Sequence, residues 1–357
     1  MNERIINIIK NFHIAGNITS VKTFGNGHIN KTVLVNTDED EYILQQINSV
    51  AFPDVNMLMN NIDIVTSFIK SQELETLEVI KTNDGKLYYA EGKQYFRMYK
   101  YIQNTICYET IGDNLSLAAN VGRAYGNLHK LLSHIDPSLI GEVIPNFHNT
   151  PKRYNDFYNS YLKASDKKKE LAKEEIDFII SHQDTYSKIV DGIKDGSIKN
   201  HIIHNDTKIN NILFDKNSGD IRCVIDLDTI MPGSVLYDIG DSFRGIYSGE
   251  NEDNEDTSLL KVNLPIFKVL TKAYLLEMKD ELTNKEIELI PYSIYLMTIE
   301  CGMRFLADYF DGNIYFNIVY QTHNLVRCRS QIALAKDVLF NLENMNNIIK
   351  EIMEEIR

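Results

Sequence analysis

Apolar and polar residues alternate over short stretches in the first hundred residues, which is the pattern of half-buried β-strands. Turn residues such as Asn83-Asp84-Gly85 separate these stretches and predict antiparallel hairpins. One helix interrupts them, opening at Pro53 and carrying apolar residues at helical spacing from Val55 to Val65. The predicted strands cover residues 21–24, 31–36, 41–47, 77–81, 87–90 and 95–102.

A helical pattern replaces the strand pattern from residue 116 onward, beginning with an apolar stripe from Leu117 to Leu132. Helices are predicted over 116–132, 154–182, 259–278, 284–310 and 317–356, the second range holding one or two helices. Polar strand-and-loop segments are predicted at 201–214 and 221–228. Because the composition changes near Gln103, we expect an α+β protein with a small antiparallel β-rich lobe over 1–102 and a larger helical lobe over 103–357.

The charge balance limits the partners of this chain of 357 residues. It carries 37 Lys and Arg against 50 Asp and Glu, a net charge of −13, which disfavours nucleic acids and anionic membranes as partners. Four scattered cysteines without a C-x-x-C pair argue against a disulfide framework or a zinc knuckle. No apolar window is long enough for a membrane span, and we find no secretory signal pattern. We therefore expect a cytoplasmic protein, monomeric or a small homo-oligomer.

Two polar clusters stand between apolar residues in the second half of the chain. The first reads His-Asn-Asp-Thr-Lys-Ile-Asn-Asn over 204–211, and the second reads Val-Ile-Asp-Leu-Asp over 224–228. Polar groups beside a core must be paired or perform chemistry, and hard cations such as Mg²⁺ prefer carboxylate and amide oxygens. Taken singly, each cluster also fits a structural role, as a capped turn or as solvated acids at a strand end.

Taken together, the clusters resemble a known constellation. H-x-D-x-x-x-x-N followed by an apolar strand and Asp resembles the catalytic and metal-binding loops of the protein-kinase-like phosphotransferases. His-Asn-Asp in place of His-Arg-Asp is similar to the aminoglycoside phosphotransferase type. Further stretches, at 44–48, 231–233 and 237–241, are similar to the hexosamine 1-kinases of that family. The resemblance implies a two-lobed protein-kinase-like fold and phosphorylation of the anomeric hydroxyl of N-acetylglucosamine or N-acetylgalactosamine, with ATP as co-substrate and Mg²⁺ as cofactor.

The resemblance also implies roles for the residues of the two clusters. Asp206 would accept or orient the proton of the attacking hydroxyl, and Lys208 would place a cation near the transferred phosphoryl group. Asn211 and Asp226 would bind Mg²⁺. Asp228, on the same face as Asp226 if the segment is an extended strand, would bind the metal through water or hydrogen-bond the sugar.

The nucleotide is expected at the first hairpin turn, because glycines there let backbone N–H groups approach phosphates. A plain hairpin turn is the alternative interpretation. The predicted nucleotide residues are Gly25, Asn26, Gly27, Gln45, Tyr99 and Tyr101. One departure from the family concerns the third strand, where Gln45 or Gln46 stands in place of the phosphate-binding Lys, and the following helix contains no Glu to pair with it. How the phosphate charge is neutralised is therefore left open.

The acceptor is expected to be a small neutral sugar bound by the helical lobe. Arg304 can donate several fixed hydrogen bonds, and Tyr315 and His28 are the other predicted substrate residues. The alternative for Arg304 is an ion pair with Asp308, four residues later in the predicted helix. The absence of Trp disfavours an aromatic box for choline. Two other functions stay open: a kinase for another small alcohol (choline, homoserine or an aminoglycoside) and a nucleotide-binding pseudokinase.

Overall fold

The computed structural model describes residues 3–25, 30–246 and 254–356, without the side chain of Ile246. The strands are β1 (Ile18–Thr23), β2 (Lys31–Thr37), β3 (Glu41–Ile47), β4 (Val79–Ile80), β5 (Tyr89–Glu91), β6 (Gln94–Lys100), β7 (Thr105–Ile106), β8 (His201–Ile203), β9 (Ile212–Asp215), β10 (Ile221–Val224) and β11 (Met231–Gly233). The helices are α1 (Glu3–Ile9), α2 (Val55–Ser71), α3 (Leu115–Leu132), α4 (Thr150–Lys163), α5 (Asp166–Leu171), α6 (Lys173–Ser181), α7 (Lys188–Asp195), α8 (Val235–Ile246), α9 (Leu264–Met278), α10 (Asn284–Asp311) and α11 (His323–Glu355).

Contacts divide the chain into two compact units. The first comprises Met1–Cys107, Ile135–Pro145 and Ile212–Pro232, and the second comprises Tyr108–His134, Asn146–Asn211 and Gly233–Arg357. The predicted lobe boundary near Gln103 stays a prediction. Within the ranges given above, no helix has both the length and the apolar character needed to cross a membrane.

An antiparallel sheet forms the centre of the first unit. Its strands run in the order β1-β2-β3-β6-β4, and β5 also pairs with β6. The register sets Gln45 of β3 opposite Arg97 of β6. The core under this sheet is apolar and includes Ile9 and Phe12 from the N-terminal segment packed with Leu44 and Met98 from the strands.

Helix α2 follows the sheet strands and is fixed to later parts of the same unit by a buried amide. The helix begins at Val55, two residues after the predicted start, because the Asp54 side chain accepts a hydrogen bond from the N–H of Met57 and caps it. Asn61, 2% exposed, donates from Nδ2 to the carbonyl oxygens of Gly141 and Ile230 at 2.8 and 3.0 Å. One side chain of α2 thus anchors two irregular segments.

The second unit is helical, with α3 against α9 and with α10 against α4, α8 and α11. Three helices, α4 to α6, occupy the range where one or two were predicted, because the chain leaves the helical conformation at Ala164 and is interrupted again at Ala172. The last helix begins at His323 and not at residue 317, because the preceding segment is bound to the end of α10. The α+β class, with an antiparallel sheet in the N-terminal part and helices in the C-terminal part, is confirmed.

A pair of glycines in α8 tests how closely the helices of this unit pack. A Cβ atom added to Gly240 would lie 2.5 Å from the carbonyl oxygen of Ser293 in α10, whereas one added to Gly245 meets nothing within 4 Å. We expect Gly240→Ala to lower the free energy of unfolding by about 1–3 kcal/mol through overpacking. The control Gly245→Ala should raise it by about 0.5 kcal/mol through helix propensity. Chemical denaturation of both variants measures the difference, and equal effects would contradict this packing.

Candidate active site

The segment 204–207 is held by one buried carboxylate of α8. Asp238 is 1% exposed; its Oδ2 accepts the backbone N–H of His204 at 2.6 Å, and its Oδ1 accepts that of Asn205 at 2.7 Å. Asn205 has a φ of +64°, a left-handed conformation that costs energy for a residue other than glycine. Hydrogen bonds to a charged acceptor offset that cost, so Asp238 fixes the path of the backbone directly before Asp206.

A second layer of buried groups fixes Asp238. His129 Nε2 lies 2.8 Å from Asp238 Oδ2, and His129 Nδ1 lies 2.8 Å from the hydroxyl oxygen of Tyr274. Burial raises the pKa of Tyr274, so its phenol stays protonated and donates to Nδ1. The tautomer assigned by this contact has the imidazole donating from Nε2 to Asp238. The phenol of Tyr274, the imidazole of His129 and the carboxylate of Asp238 thus form one chain of hydrogen bonds that supports the loop.

Three of the predicted residues are brought together by this loop. Lys208 Nζ lies 2.9 Å from Asp206 Oδ1, and the Lys208 side chain is about half-exposed. Partial burial acts to lower the pKa of Lys208, but the carboxylate of Asp206 holds it above its ordinary value. Asn211 donates from Nδ2 to the backbone oxygen of Asp206 at 2.8 Å, which leaves its amide oxygen as the group available to a further partner.

The second predicted cluster belongs to the first unit and is not extended. Strand β10 ends at Val224, Asp226 has a φ of +58°, and Leu227–Thr229 forms a short 3₁₀ turn. The condition under which Asp226 and Asp228 would share one strand face, an extended segment, is therefore not met, because Asp226 is left-handed and a 3₁₀ turn follows it. Asp228 is 4% exposed, its Oδ2 accepts from Nδ2 of Asn30 at 2.7 Å, and its Oδ1 forms an ion pair with Arg97.

The predicted nucleotide residues fall in three settings. Gly25 has a φ of +70°, while Asn26 and Gly27, together with the predicted substrate residue His28, lie outside the described residues. Tyr99 is buried and lies beside Arg97, whose guanidinium carbon is 5.2 Å from the ring centre. The other two predicted residues are partly buried: Gln45 contacts Arg97, and the Tyr101 ring meets the edge of Phe24 at 5.6 Å.

Arg304 lies between two aromatic rings of the second unit. Its guanidinium carbon is 5.7 Å from the ring centre of Phe147 and 5.6 Å from that of Phe316. It makes no hydrogen bond or ion pair with any residue in the described part of the chain, so its donors are oriented but unused. Arg153 lies close by and donates from Nη2 to the carbonyl oxygen of Phe147 at 2.8 Å; burial and the charge of Arg304 both lower the pKa of Arg153. Two cations therefore share this part of the second unit.

Asp308 does not pair with Arg304, so that alternative is wrong. Its Oδ1 accepts the backbone N–H groups of Ile314 and Tyr315 at 2.9 and 2.8 Å, and its Oδ2 accepts that of Phe316 at 3.0 Å. The carboxylate is thus fully used in folding residues 314–316 back onto the end of α10. It places the Phe316 ring against Arg304 and leaves Tyr315 72% exposed.

The other acids near these groups are paired as well. Glu300, 1% exposed, accepts from Thr150 Oγ1 at 2.6 Å and lies 2.8 Å from His148 Nδ1. Burial acts to raise the pKa of Glu300, but these hydrogen bonds and the neighbouring charges hold it below its ordinary value. Asp241 has an ion pair with Arg244 at 2.9 Å. Among the described residues, no group of three or more His, Cys, Asp and Glu side chains is arranged to hold a metal by itself.

Sequence reasoning missed the residues that support the two clusters. Asp238 and His129 act on the loop at 204–207, and Arg97 and Asn61 act on residues 226–230. Arg97 had a visible signal, since it is an isolated cation within a strand of apolar and aromatic residues. Asp238 lies within the stretch 237–241 that resembles the family, but no role was predicted for it. His129 and Asn61 had no signal, because a partner distant in sequence leaves no local periodicity.

Comparison with known proteins assigns the family. The model of the phosphotransferase enzyme family (APH) matches residues 20–263, which is more than half of the chain. The chain belongs to this family and is a small-molecule phosphotransferase.

Solved structures share its fold at low sequence identity. A microcompartment-associated aminopropanol kinase matches with a TM-score of 0.64 and 15% identity, covering 96% of this chain and 98% of its own. The choline kinase from Cryptosporidium parvum Iowa II matches at 0.59 and 15%, covering 99% and 100%. A spectinomycin phosphotransferase, solved with ADP and spectinomycin, matches at 0.58 and 14%, covering 98% of each chain. The predicted kinase-like fold class is thereby confirmed.

The role of Asp308 can be tested without an activity assay. We expect Asp308→Ala to increase the hydrogen-exchange rates of the amides of residues 314–316 by about tenfold or more, because each loses a charged acceptor. Asp311→Ala is the control, since Asp311 on the same helix accepts from Ser160 Oγ at 2.8 Å and contacts none of these amides. Unchanged exchange in Asp308→Ala would remove Asp308 from this role.

Proposed function

We propose that the protein is an ATP- and Mg²⁺-dependent kinase that phosphorylates the anomeric hydroxyl of N-acetylglucosamine or N-acetylgalactosamine. The observation that carries the proposal is the guanidinium of Arg304, which is fixed between Phe147 and Phe316 with its donors unused. A planar set of N–H donors suits the hydroxyl and acetamido oxygens of a neutral sugar. The exposed Tyr315 and, by family resemblance, His28 are proposed to complete the contacts to the sugar.

The charges around Arg304 favour a neutral acceptor over a cationic one. The structural relatives are kinases of aminopropanol, choline and spectinomycin, all of which carry amino or ammonium groups. Binding such a cation would require a carboxylate that is free to pair with it. In this chain Asp241, Glu300 and Asp308 are already paired, and Arg153 adds a second cation near Arg304.

Asp206 is proposed to orient the acceptor hydroxyl and to accept its proton as the phosphoryl group is transferred. The hydrogen bonds from the loop to Asp238 support this role, because a base acts only from a fixed position. Lys208, paired with Asp206, is proposed to contribute positive charge near the transferred group.

Asn211 and Asp226 are the proposed Mg²⁺ ligands. Mg²⁺ is usually bound by one or two carboxylates together with substrate phosphates, so one acid and one amide oxygen fit it, although the described residues hold no larger acidic cluster. Nδ2 of Asn211 donates to the backbone oxygen of Asp206, which leaves its amide oxygen for this role and so supports the proposal. When bound, the cation would neutralise charge on the nucleotide phosphates. The segment predicted as a turn at Gly25, Asn26 and Gly27, together with Gln45, Tyr99 and Tyr101, is proposed to receive the nucleotide.

Nucleotide consumption with a panel of acceptors tests the function. ADP release should be measured with N-acetylglucosamine, N-acetylgalactosamine, glucose, choline, aminopropanol, homoserine and an aminoglycoside at equal concentrations. We expect the two N-acetylhexosamines to give the highest kcat/KM. A cationic alcohol as the best acceptor would contradict the sugar assignment and leave the phosphotransferase family standing. No turnover with any acceptor, despite nucleotide binding, would indicate a pseudokinase.

The base assignment predicts a large loss of turnover from a change of one atom. Asp206→Asn should lower kcat by at least ~10²-fold, because the amide cannot accept the proton. Its affinity for ADP, measured by calorimetry, should stay within a few-fold of wild type. Asp191→Asn, at an exposed acid of α7, is the control and should leave both quantities unchanged. A kcat near the wild-type value would exclude Asp206 as the base.

The acceptor assignment predicts a selective change in KM. Arg304→Ala should raise the KM for N-acetylhexosamine by about ten- to a hundredfold, the usual effect of losing a charged hydrogen bond, with little change in the KM for ATP. Arg304→Lys should be intermediate, since it keeps the charge and loses the planar fork. Arg123→Ala, an exposed arginine of α3, serves as the control. An effect of Arg304→Ala on ATP alone would overturn the sugar site.

A further inference from the structure

Strand β3 lacks the phosphate-binding lysine that the family resemblance implies. Arg97, on the adjacent strand β6, carries a positive charge that could take over the role of that lysine. In the pairing of β3 with β6, Gln45 lies directly opposite Arg97, and Arg97 donates from Nε to Gln45 Oε1 at 2.9 Å. The other end of the same amide donates from Nε2 to Thr32 Oγ1 at 3.2 Å, so its carbonyl oxygen is the atom that faces the guanidinium. The positive charge is therefore on the strand next to β3 and is oriented by Gln45, one of the two residues that stand in place of the lysine.

This cation is fully buried and its anion comes from the segment after β10. Arg97 is 1% exposed and forms an ion pair with Asp228, which is 4% exposed. A buried guanidinium without a partner would be strongly destabilising, so the two groups require each other. Burial acts to lower the pKa of Arg97, but the charges of Asp228 and, more weakly, Asp226 hold it above its ordinary value. Arg97 therefore also interacts with the proposed metal ligand.

The ion pair also reaches Asn30, the residue directly before β2. The second carboxylate oxygen of Asp228 accepts from Nδ2 of Asn30, and Oδ1 of Asn30 accepts the backbone N–H of Asn48 at 3.0 Å. In the sequence, Asn30 comes after the glycine-containing segment 25–29, whose residues 26–29 lie outside the described residues. Helix α2 contains no Glu, and Asn61, one of its buried polar residues, instead donates to the carbonyl oxygen of Ile230. One network thus joins β6, Asn30 and residues 226–230.

We propose that Arg97 and Asp228 perform the task of the missing Lys–Glu pair, so that Asp228 is a positioning residue and not a metal ligand. The inference rests on the proposed nucleotide- and Mg²⁺-dependent function. Arg97 would offset the repulsion between the carboxylates of Asp226 and Asp228 and help to hold Asp226 in its left-handed conformation. Oδ1 of Asp228 forms the ion pair with Arg97 and Oδ2 accepts from Asn30, so both oxygens already face protein groups, which favours Asp226 over Asp228 as the metal ligand within this segment.

A double-mutant cycle on nucleotide affinity tests the pair. ADP binding should be measured by calorimetry with and without Mg²⁺ for Arg97→Gln, Asp228→Asn and the double variant. We expect each single variant to bind MgADP about tenfold or more weakly, because a buried charge is left alone, and the double variant to bind better than the weaker single variant. The double variant should keep the gain in affinity that Mg²⁺ provides, whereas Asp226→Asn should lose it. Arg222→Gln, a partly exposed arginine of β10 paired with Glu75, is the control.

Additive effects in this cycle, or loss of the Mg²⁺-dependent gain in the double variant, would overturn the proposal and support Asp228 as a ligand. Unchanged affinity in folded single variants would also overturn it. A wild-type protein that fails to bind MgADP would instead contradict the proposed function itself, so the two failures are distinguishable.

A second variant keeps the test valid if the single variants do not fold. Gln45→Lys restores lysine to β3 but sets a second cation against Arg97. If Arg97 already supplies the charge, Gln45→Lys should lower the melting temperature below that of Gln45→Met and should not strengthen MgADP binding. An increase of about tenfold in MgADP affinity would show that the site lacked a cation, and would overturn the assignment of Arg97.

Discussion

A charged side chain without access to water needs a partner, and this requirement organises both units of the chain. In the second unit, the carboxylate of Asp238 is enclosed by the backbone of residues 204–205 and by His129, and the path of the loop before Asp206 follows from that contact. In the first unit, Arg97 has the same role for Asp228. Two of the left-handed residues other than glycine, Asn205 and Asp226, occur beside these buried charges, where the surrounding contacts offset the cost of an unfavourable backbone conformation.

Local pattern was sufficient to predict most of the fold but not its irregular segments. Alternation located the strands of the sheet, and helical spacing located α2, α3 and α10, because one buried face imposes a period on the residues. The conformation of Asp226 and the late start of α11 at His323 were not predictable in this way. Both features depend on tertiary contacts, of Arg97 with Asp228 in the first case and of Asp308 with residues 314–316 in the second. Such contacts do not change the period of the hydrophobic pattern.

The same distinction applies to the site. Motif spacing located Asp206, Lys208 and Asn211, which contact one another in a single loop, while their roles stay predictions. Their supporting residues, such as Asp238, lie tens of residues away and carry no spacing rule. The buried acids Glu300 and Asp308 have their hydrogen-bond partners within the protein. The N–H donors of Arg304 have none among the described residues. A polar group that the fold orients and does not use is the strongest local argument for a ligand, and it favours an acceptor rich in oxygen atoms and without positive charge.

The position of the new phosphate on the acceptor tests this account most directly. After incubation of the protein with ATP, Mg²⁺ and N-acetylglucosamine or N-acetylgalactosamine, the product can be examined by ³¹P–¹H correlation spectroscopy. An anomeric kinase produces a sugar 1-phosphate, in which the phosphorus couples to the anomeric proton. The account predicts that coupling. A phosphorus signal coupled to the C6 protons of the sugar, or formation of phosphorylated choline or aminopropanol in preference to a phosphorylated sugar, would contradict it.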